Sequence, residues 1–365
     1  MAPRSHLSRR DVLRQGAWVV GVAATAPAFL RRLARADDTA PAASDSVLVV
    51  LELSGGNDGL STVVPRESDE LRRARPTLGF RDEDLLPIDE RIGLHPDLRG
   101  LAVLHARGRL AIVQGVGYPD PSRSHFESMD VWHTADLGGR RSPTGWVGRA
   151  GDAMPGGTDR PCLVVGIGSR QPYALEARVR HGVSFADPER FQWNGSDPAF
   201  ERLHDSPPAA DPAPAARLRE VARDALAASE AVQAAARRYR PRVEYPDTKL
   251  ARDLSIAAGL VDAGLGTRIV YAACGGFDTH VGQAASYPER MREVDGALSA
   301  FLGDVEAHGH GERVAVMAFS EFGRRVAENG SGGTDHGAAG PMFLAGGRVR
   351  GGLHGDPPRF EALDR

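Results

Sequence analysis

Residues 47–53 read VLVVLEL, an apolar run of strand length in which only Glu52 is polar. A strand that is apolar at alternate and intervening positions alike has both faces to bury. That suits a central parallel strand covered by helices on each side. The run stops at SGGNDG (54–59), a glycine-rich break.

The rest of the chain repeats this alternation. Helical patterns at 98–108, 124–135, 247–263 and 289–307 alternate with strand-like runs at 110–117, 162–168, 267–273 and 313–319. The expected class is α/β, a doubly wound, mostly parallel sheet with helices on both faces. Residues 45–365 read as one domain. Inside it, DSPPAADPAPAAR (205–217) is rich in Pro and Ala and reads as a surface linker. The Ala-rich stretch that follows is a strong helix candidate. Together they make a helical insertion around 205–245, because the alternation resumes after it.

Residues 1–36 carry a different signal. Arg9 and Arg10 precede an apolar run, AWVVGVAATAPAFL, and the segment closes on Ala34-Arg35-Ala36. Basic region, apolar region and A-x-A site, in that order, describe a cleaved leader. The paired arginines point to twin-arginine export machinery as a partner. The apolar run falls short of the roughly 20 residues that span a bilayer. The expected product is periplasmic or extracellular, with no membrane association after cleavage. A net charge of −3 in 365 residues gives no sign of nucleic-acid binding. The two cysteines, Cys162 and Cys274, each lie in an apolar run and read as buried thiols.

In open parallel sheets, ligands bind beyond the carboxyl ends of the strands. That rule sorts the polar residues. Asn57 and Asp58 follow the first strand. Asp120, Ser122, Ser124 and His125 follow the second. Asp278 and His280 follow the strand at 267–273, and Glu321 the strand at 313–319. Asp335, His336 and His354 lie in the segment after that. His308 and His310 lead into a strand and belong to the opposite edge, where they read as solvated loop residues. His95, His105, His181 and His204 have no partner in sequence and are expected on the surface or a helix face.

Two carboxylates 4 Å apart repel by about 4 kcal/mol at an effective dielectric of about 20. Asp58, Asp278, Glu321 and Asp335, if gathered at one edge, would need protons or divalent cations among them. Neighbouring imidazoles favour a cation of the Zn, Mn or Fe type. The alternative is that these acids are apart and cap loops. For chemistry at such a centre, Ser122 and Ser124 lie where a strand turns into a helix, whose N-terminal N–H groups favour anions. Ser124 with Glu127 also fits a capping box. Arg123 between them is placed to grip an anionic group. No G-x-S-x-G occurs.

The paired-arginine leader, LELSGGNDGLSTVVP, SRSHFESMDVWHT, TGWVGR, GGFDTHVGQ, SEFGRRVAENGSGGTDHG and GGLHGDPP together resemble the exported bacterial family catalogued as domain of unknown function 1501. The resemblance runs over nearly the whole chain after the leader. It implies an alkaline phosphatase-like fold, grouped with sulfatases, and one or two divalent metals at the carboxyl edge of the sheet. On the matching positions it implies Asp58 (or Asn57), Asp278, His280, Asp335, His336 and His354 as metal ligands. A serine at a helix start would attack a phosphate or sulfate ester of a small molecule or polysaccharide. Three departures stand out. Asp278 and His280 are two apart where the superfamily often has four. Glu321 occupies the strand end expected for the Asp-His pair. Pro119 replaces the cysteine of the sulfatase signature, which disfavours a formylglycine enzyme. One more strand and helix would be expected beyond LHGDPP, so the reading includes a shortened C-terminus. The alternative to an enzyme is a non-catalytic exported binding or scaffold protein that keeps the fold.

Overall fold

The structure is a computed structural model that describes residues 45–139, 142–154, 160, 162–191 and 213–364. The expected leader, His204 and the first part of the expected linker lie outside them. Thirteen strands are present in the described residues: β1 Val47–Leu53, β2 Val63–Pro65, β3 Leu86–Pro87, β4 Ile92–Leu94, β5 Leu110–Val116, β6 Val164–Ile167, β7 Val183–Phe185, β8 Ile269–Cys274, β9 Val314–Phe319, β10 Arg324–Glu328, β11 Thr334–His336, β12 Gly340–Gly346 and β13 Gly352–His354.

Eight of them form one sheet in the order β13-β5-β12-β9-β1-β8-β6-β7. Pairing is parallel throughout except at β12, which runs against both β5 and β9. This is the mostly parallel sheet expected. β1 sits at its centre, between β8 and β9, and all seven of its residues are buried. Val47, Val49, Leu51 and Leu53 pack into a core shared with the helices Lys249–Asp262 and Gln283–Ala307. Leu48 and Val50 point the other way, against Val147 and Met154 at the helix Trp146–Ala153. Covering both faces is what lets the run dispense with polar alternation.

The Ala-rich helix spans Ala213–Arg238, so residues 213–217, read as linker, belong to it. Its Ala228, Val232 and Ala235 join the main core, which makes it part of the domain's packing. Helix formation extends there because Pro214 falls at the second position, where a missing N–H costs nothing. The expected helix at 289–307 starts earlier, at Gln283, and carries Pro288 within it. The two thiols, Cys162 and Cys274, are free and buried. Among the described residues, no helix is long and apolar enough to cross a membrane.

Candidate metal centre

The loops after β1, β8 and β9 meet at the carboxyl edge because those strands are neighbours in the sheet. The helix His125–Thr134, which follows β5, brings its first residue to the same place. Here three imidazoles surround Asp278. His280 Nε2 lies 3.1 Å from Asp278 Oδ1, and His336 Nε2 lies 3.2 Å from the same oxygen. His125 Nε2 stands 3.4 Å from Asp278 Oδ2. His280 and His336 face one another through their Nε2 atoms at 2.8 Å.

The other nitrogen of each ring fixes its tautomer. His336 Nδ1 lies 2.7 Å from the Arg123 carbonyl oxygen. His280 Nδ1 lies 3.1 Å from Asp335 Oδ1, and His125 Nδ1 lies 2.8 Å from Glu321 Oε1. A carbonyl or carboxylate oxygen can only accept, so each Nδ1 carries the hydrogen and each Nε2 of the neutral ring offers a lone pair. Burial lowers the pKa of His336, which favours its neutral form. Burial would raise that of Asp278, but the hydrogen bond and charge of Arg324 outweigh it and hold the carboxyl at about 2. Asp335 is held below its ordinary value chiefly by a hydrogen bond from Asn329, and then by His280. Lone pairs on three nitrogens thus converge on an ionised carboxylate. Nitrogens 2.8 Å apart need a proton or a cation between them.

The residues fit a divalent ion. Among the described residues, His125, Asp278 and His336 each bring a ligand atom within 4.8 Å of the other two. His125 Nε2 is buried without a hydrogen-bond partner. Imidazole nitrogens with one carboxylate suit Zn, Mn or Fe. Metal-binding histidines characteristically donate their second N–H to a carboxylate or carbonyl, as all three rings do here. The Phe322 ring packs against His125 and His336, with centroids 4.9 and 4.6 Å away.

Gly55 makes the close approach possible. Its φ is +121°, and a Cβ there would lie 2.4 Å from the Asp278 nitrogen. Its N–H donates to Glu321 Oε1 at 2.8 Å, so one loop touches both the acid behind His125 and the backbone of Asp278.

The sequence-derived candidates divide into three groups. Asp278, His280 and His336 come together as ligand-bearing side chains. Asp335 and Glu321 stand one step back, orienting His280 and His125. Asp58, Asn57 and His354 do not join the centre. Asp58 is fully buried in a two-pronged ion pair with Arg75, at 2.7 and 3.0 Å, and also accepts from Ser61 and Gln283. A carboxylate so neutralised has no need of a metal. Asn57 bonds Thr62 and Tyr287. His354 ends β13 at the margin of the sheet, exposed, with its Nε2 3.4 Å from the Arg350 carbonyl oxygen.

The expected chemistry-bearing residues before His125 are partly committed. Arg123 donates from its guanidinium to the Asp364 carbonyl at 2.6 Å, and its own backbone carbonyl meets His336 Nδ1. Ser122 Oγ donates to Glu127 Oε2 at 2.6 Å. Ser124 caps the helix, accepting from Glu127 N at a long 3.5 Å.

Sequence reasoning placed His125 at this edge without giving it a ligand's role, and passed over Arg324. Arg324 is buried and donates to the carbonyls of Gly55, Gly56, Phe277 and Thr334, and to Asp278 Oδ1 at 2.8 Å. At the opposite edge, His308 and His310 both contact Asp262, each at 3.1 Å. His308 is largely enclosed and packs on Tyr239, so it is not a solvated loop residue. His95, expected on the surface or a helix face, is buried between Phe80 and Tyr287.

The family model described as "Protein of unknown function (DUF1501)" matches residues 45–362. The chain belongs to that family. No curated protein matches the DUF1501 chain in sequence. Among solved structures it is similar to the lipoteichoic acid synthase LtaP from Listeria monocytogenes, with 9% identity, a TM-score of 0.35, and coverage of 87% of this chain and 70% of that one. It is also similar to the PsFucS1 sulfatase from Pseudoalteromonas sp., with 12% identity, a TM-score of 0.38, and coverage of 93% and 68%. Likeness at this level assigns no activity or substrate to the DUF1501 chain.

Proposed function

We propose that the chain is an exported, metal-dependent hydrolase of phosphate or sulfate esters. The observation that carries this reading is the convergence of three Nε2 lone pairs on ionised Asp278, each ring locked by an acceptor at Nδ1. A divalent cation held there supplies Lewis-acid charge toward an ester oxygen and lowers the pKa of a nearby hydroxyl or water. His125, Asp278 and His336 hold it, with His280 beside them. Glu321, Asp335 and the Arg123 carbonyl keep the rings in register. Ser124 directly precedes His125, and its long capping bond leaves it freer than Ser122 to attack a substrate. The helix N-terminus favours the anionic group of the ester. Export rests on Arg9 and Arg10 with the apolar run and A-x-A site behind them.

Elemental analysis of the purified protein tests this first, and stoichiometric Zn, Mn or Fe is expected. A panel of aryl phosphates and sulfates should then show turnover that Asp278→Ala and His336→Ala abolish while circular dichroism stays native. Protein that takes up no metal rules the reading out. A binding protein without catalysis is the second reading, favoured by the Arg324–Asp278 ion pair, which neutralises the acid without a metal. It predicts no turnover on any ester with the metal bound.

A further inference from the structure

We infer that Gln283 is a positioning residue of the proposed metal centre: its amide ties the segments that carry Asp278, His280 and His336 to one another and to Asp58. The inference rests on that centre. Gln283 is the first residue of the helix Gln283–Ala307, and it is buried. Its Nε2 donates to Asp58 Oδ2 at 2.5 Å. Its Oε1 accepts from Thr279 Oγ1 at 2.9 Å and from Thr334 Oγ1 at 2.7 Å. Thr279 stands between Asp278 and His280 in the chain, and Thr334 stands just before Asp335 and His336. One amide oxygen therefore holds a residue from each segment.

The direction of the amide is not free. The Arg75 guanidinium keeps Asp58 ionised, and an ionised carboxylate only accepts. The NH2 group must then face Asp58, which turns the carbonyl oxygen to the two threonine hydroxyls. Backbone bonds close the same junction: Thr334 N donates to Thr279 O at 3.1 Å, and Gln283 N to Gly332 O at 2.8 Å. Both threonines are buried, where a hydroxyl left without an acceptor is costly. Asp58, expected as a metal ligand, thus serves the centre from a distance. It fixes the amide, and the amide fixes the backbone from which the ligands project.

Cobalt titration of the full chain, followed by visible absorption, tests this, with urea unfolding of the metal-free protein alongside. Gln283→Met keeps the bulk and removes the amide. Cobalt affinity is expected to fall about tenfold, at the lower end of what groups behind metal ligands cost. The visible band of bound cobalt should shift, while the number of ions bound stays that of the wild type. Thr334→Val should lower affinity in the wild-type background and have no further effect in Gln283→Met, because the hydroxyl has already lost its acceptor. A folded Gln283→Met that binds cobalt as the wild type does overturns the inference, even if it unfolds at lower urea. So do losses from the two substitutions that simply add. If Gln283→Met does not fold, Thr279→Val/Thr334→Val decides, since it keeps Gln283 and cuts only the Oε1 contacts: weakened cobalt binding supports the inference and unchanged binding defeats it. Wild type that takes up no cobalt removes the metal centre itself, and this inference with it.

Discussion

The carboxylate of Asp58 faces one guanidinium, and that contact sets its charge. Burial alone would raise its pKa; the charge and hydrogen bonds of Arg75 hold it below the ordinary 3.8. Removing one partner of a buried pair typically costs about 3–5 kcal/mol, because the other charge is left unpaired. Arg75→Met should therefore cost about that much stability in urea unfolding while leaving the metal content unchanged. The sign with pH follows from the lowered pKa. The contribution is complete above the unfolded value of 3.8 and is lost as pH falls through the lower folded value. Urea midpoints measured from pH 6 downward should thus fall more steeply below pH 4 for the wild type than for Arg75→Met. Glu321 behaves differently. It faces the His125 imidazole of the proposed centre, so Glu321→Gln should weaken metal affinity by about 10–100-fold, read by chelator competition. Affinity unchanged by that substitution would detach Glu321 from the centre.

At the scale of elements, legibility followed apolar pattern. The strands expected at 47–53, 110–117 and 313–319 form within a residue of those bounds, because each is a mainly apolar run with a glycine or polar stop. β10, β11 and β12 are not legible in this way. Thr334-Asp335-His336 has no apolar face, and its pairing with β10, Arg324 opposite His336 and Glu328 opposite Thr334, makes it a strand. In β12, Gly340 and Pro341 obscure the alternation that buries Phe343 and Ala345. The same limit hid half of the site. The carboxyl-edge rule gathered Asp278, His280, Glu321, Asp335, His336 and His125 correctly at one rim. It could not see that Asp58 has Arg75 for a partner or that Asp278 has Arg324, since an ion pair across the fold leaves no local spacing. The Gly55 turn is where these elements touch, and it yields a sharp test. Gly55→Ala forces a Cβ to within 2.4 Å of the Asp278 backbone at a φ of +121°. L-residues rarely adopt that φ. The substituted protein should keep its helical signal but lose metal affinity along with stability. A Gly55→Ala protein that binds metal as the wild type does would show that the loop can shift without moving Asp278.

Across the whole molecule, the centre draws on residues from His125 to His336, on segments that follow four different strands. No part of the chain can assemble it alone. Asp278 finds Arg324 and His125 only when β1, β8 and β9 are side by side and the helix after β5 has docked. A metal acquired before the sheet is complete would meet scattered acids and imidazoles with no fixed geometry. The proposed export route suits this constraint, because the twin-arginine pathway carries proteins that have already folded. It follows that the paired arginines should be indispensable for delivery while irrelevant to folding. In Arg9→Lys/Arg10→Lys, cell fractionation should find the chain retained in the cytoplasm, at full length. Purified from there, it should hold the same metal stoichiometry as exported wild type. A variant still exported efficiently would remove the twin-arginine assignment. Retained protein without metal would show instead that the centre is filled after export, which would separate folding of the sheet from loading of the site.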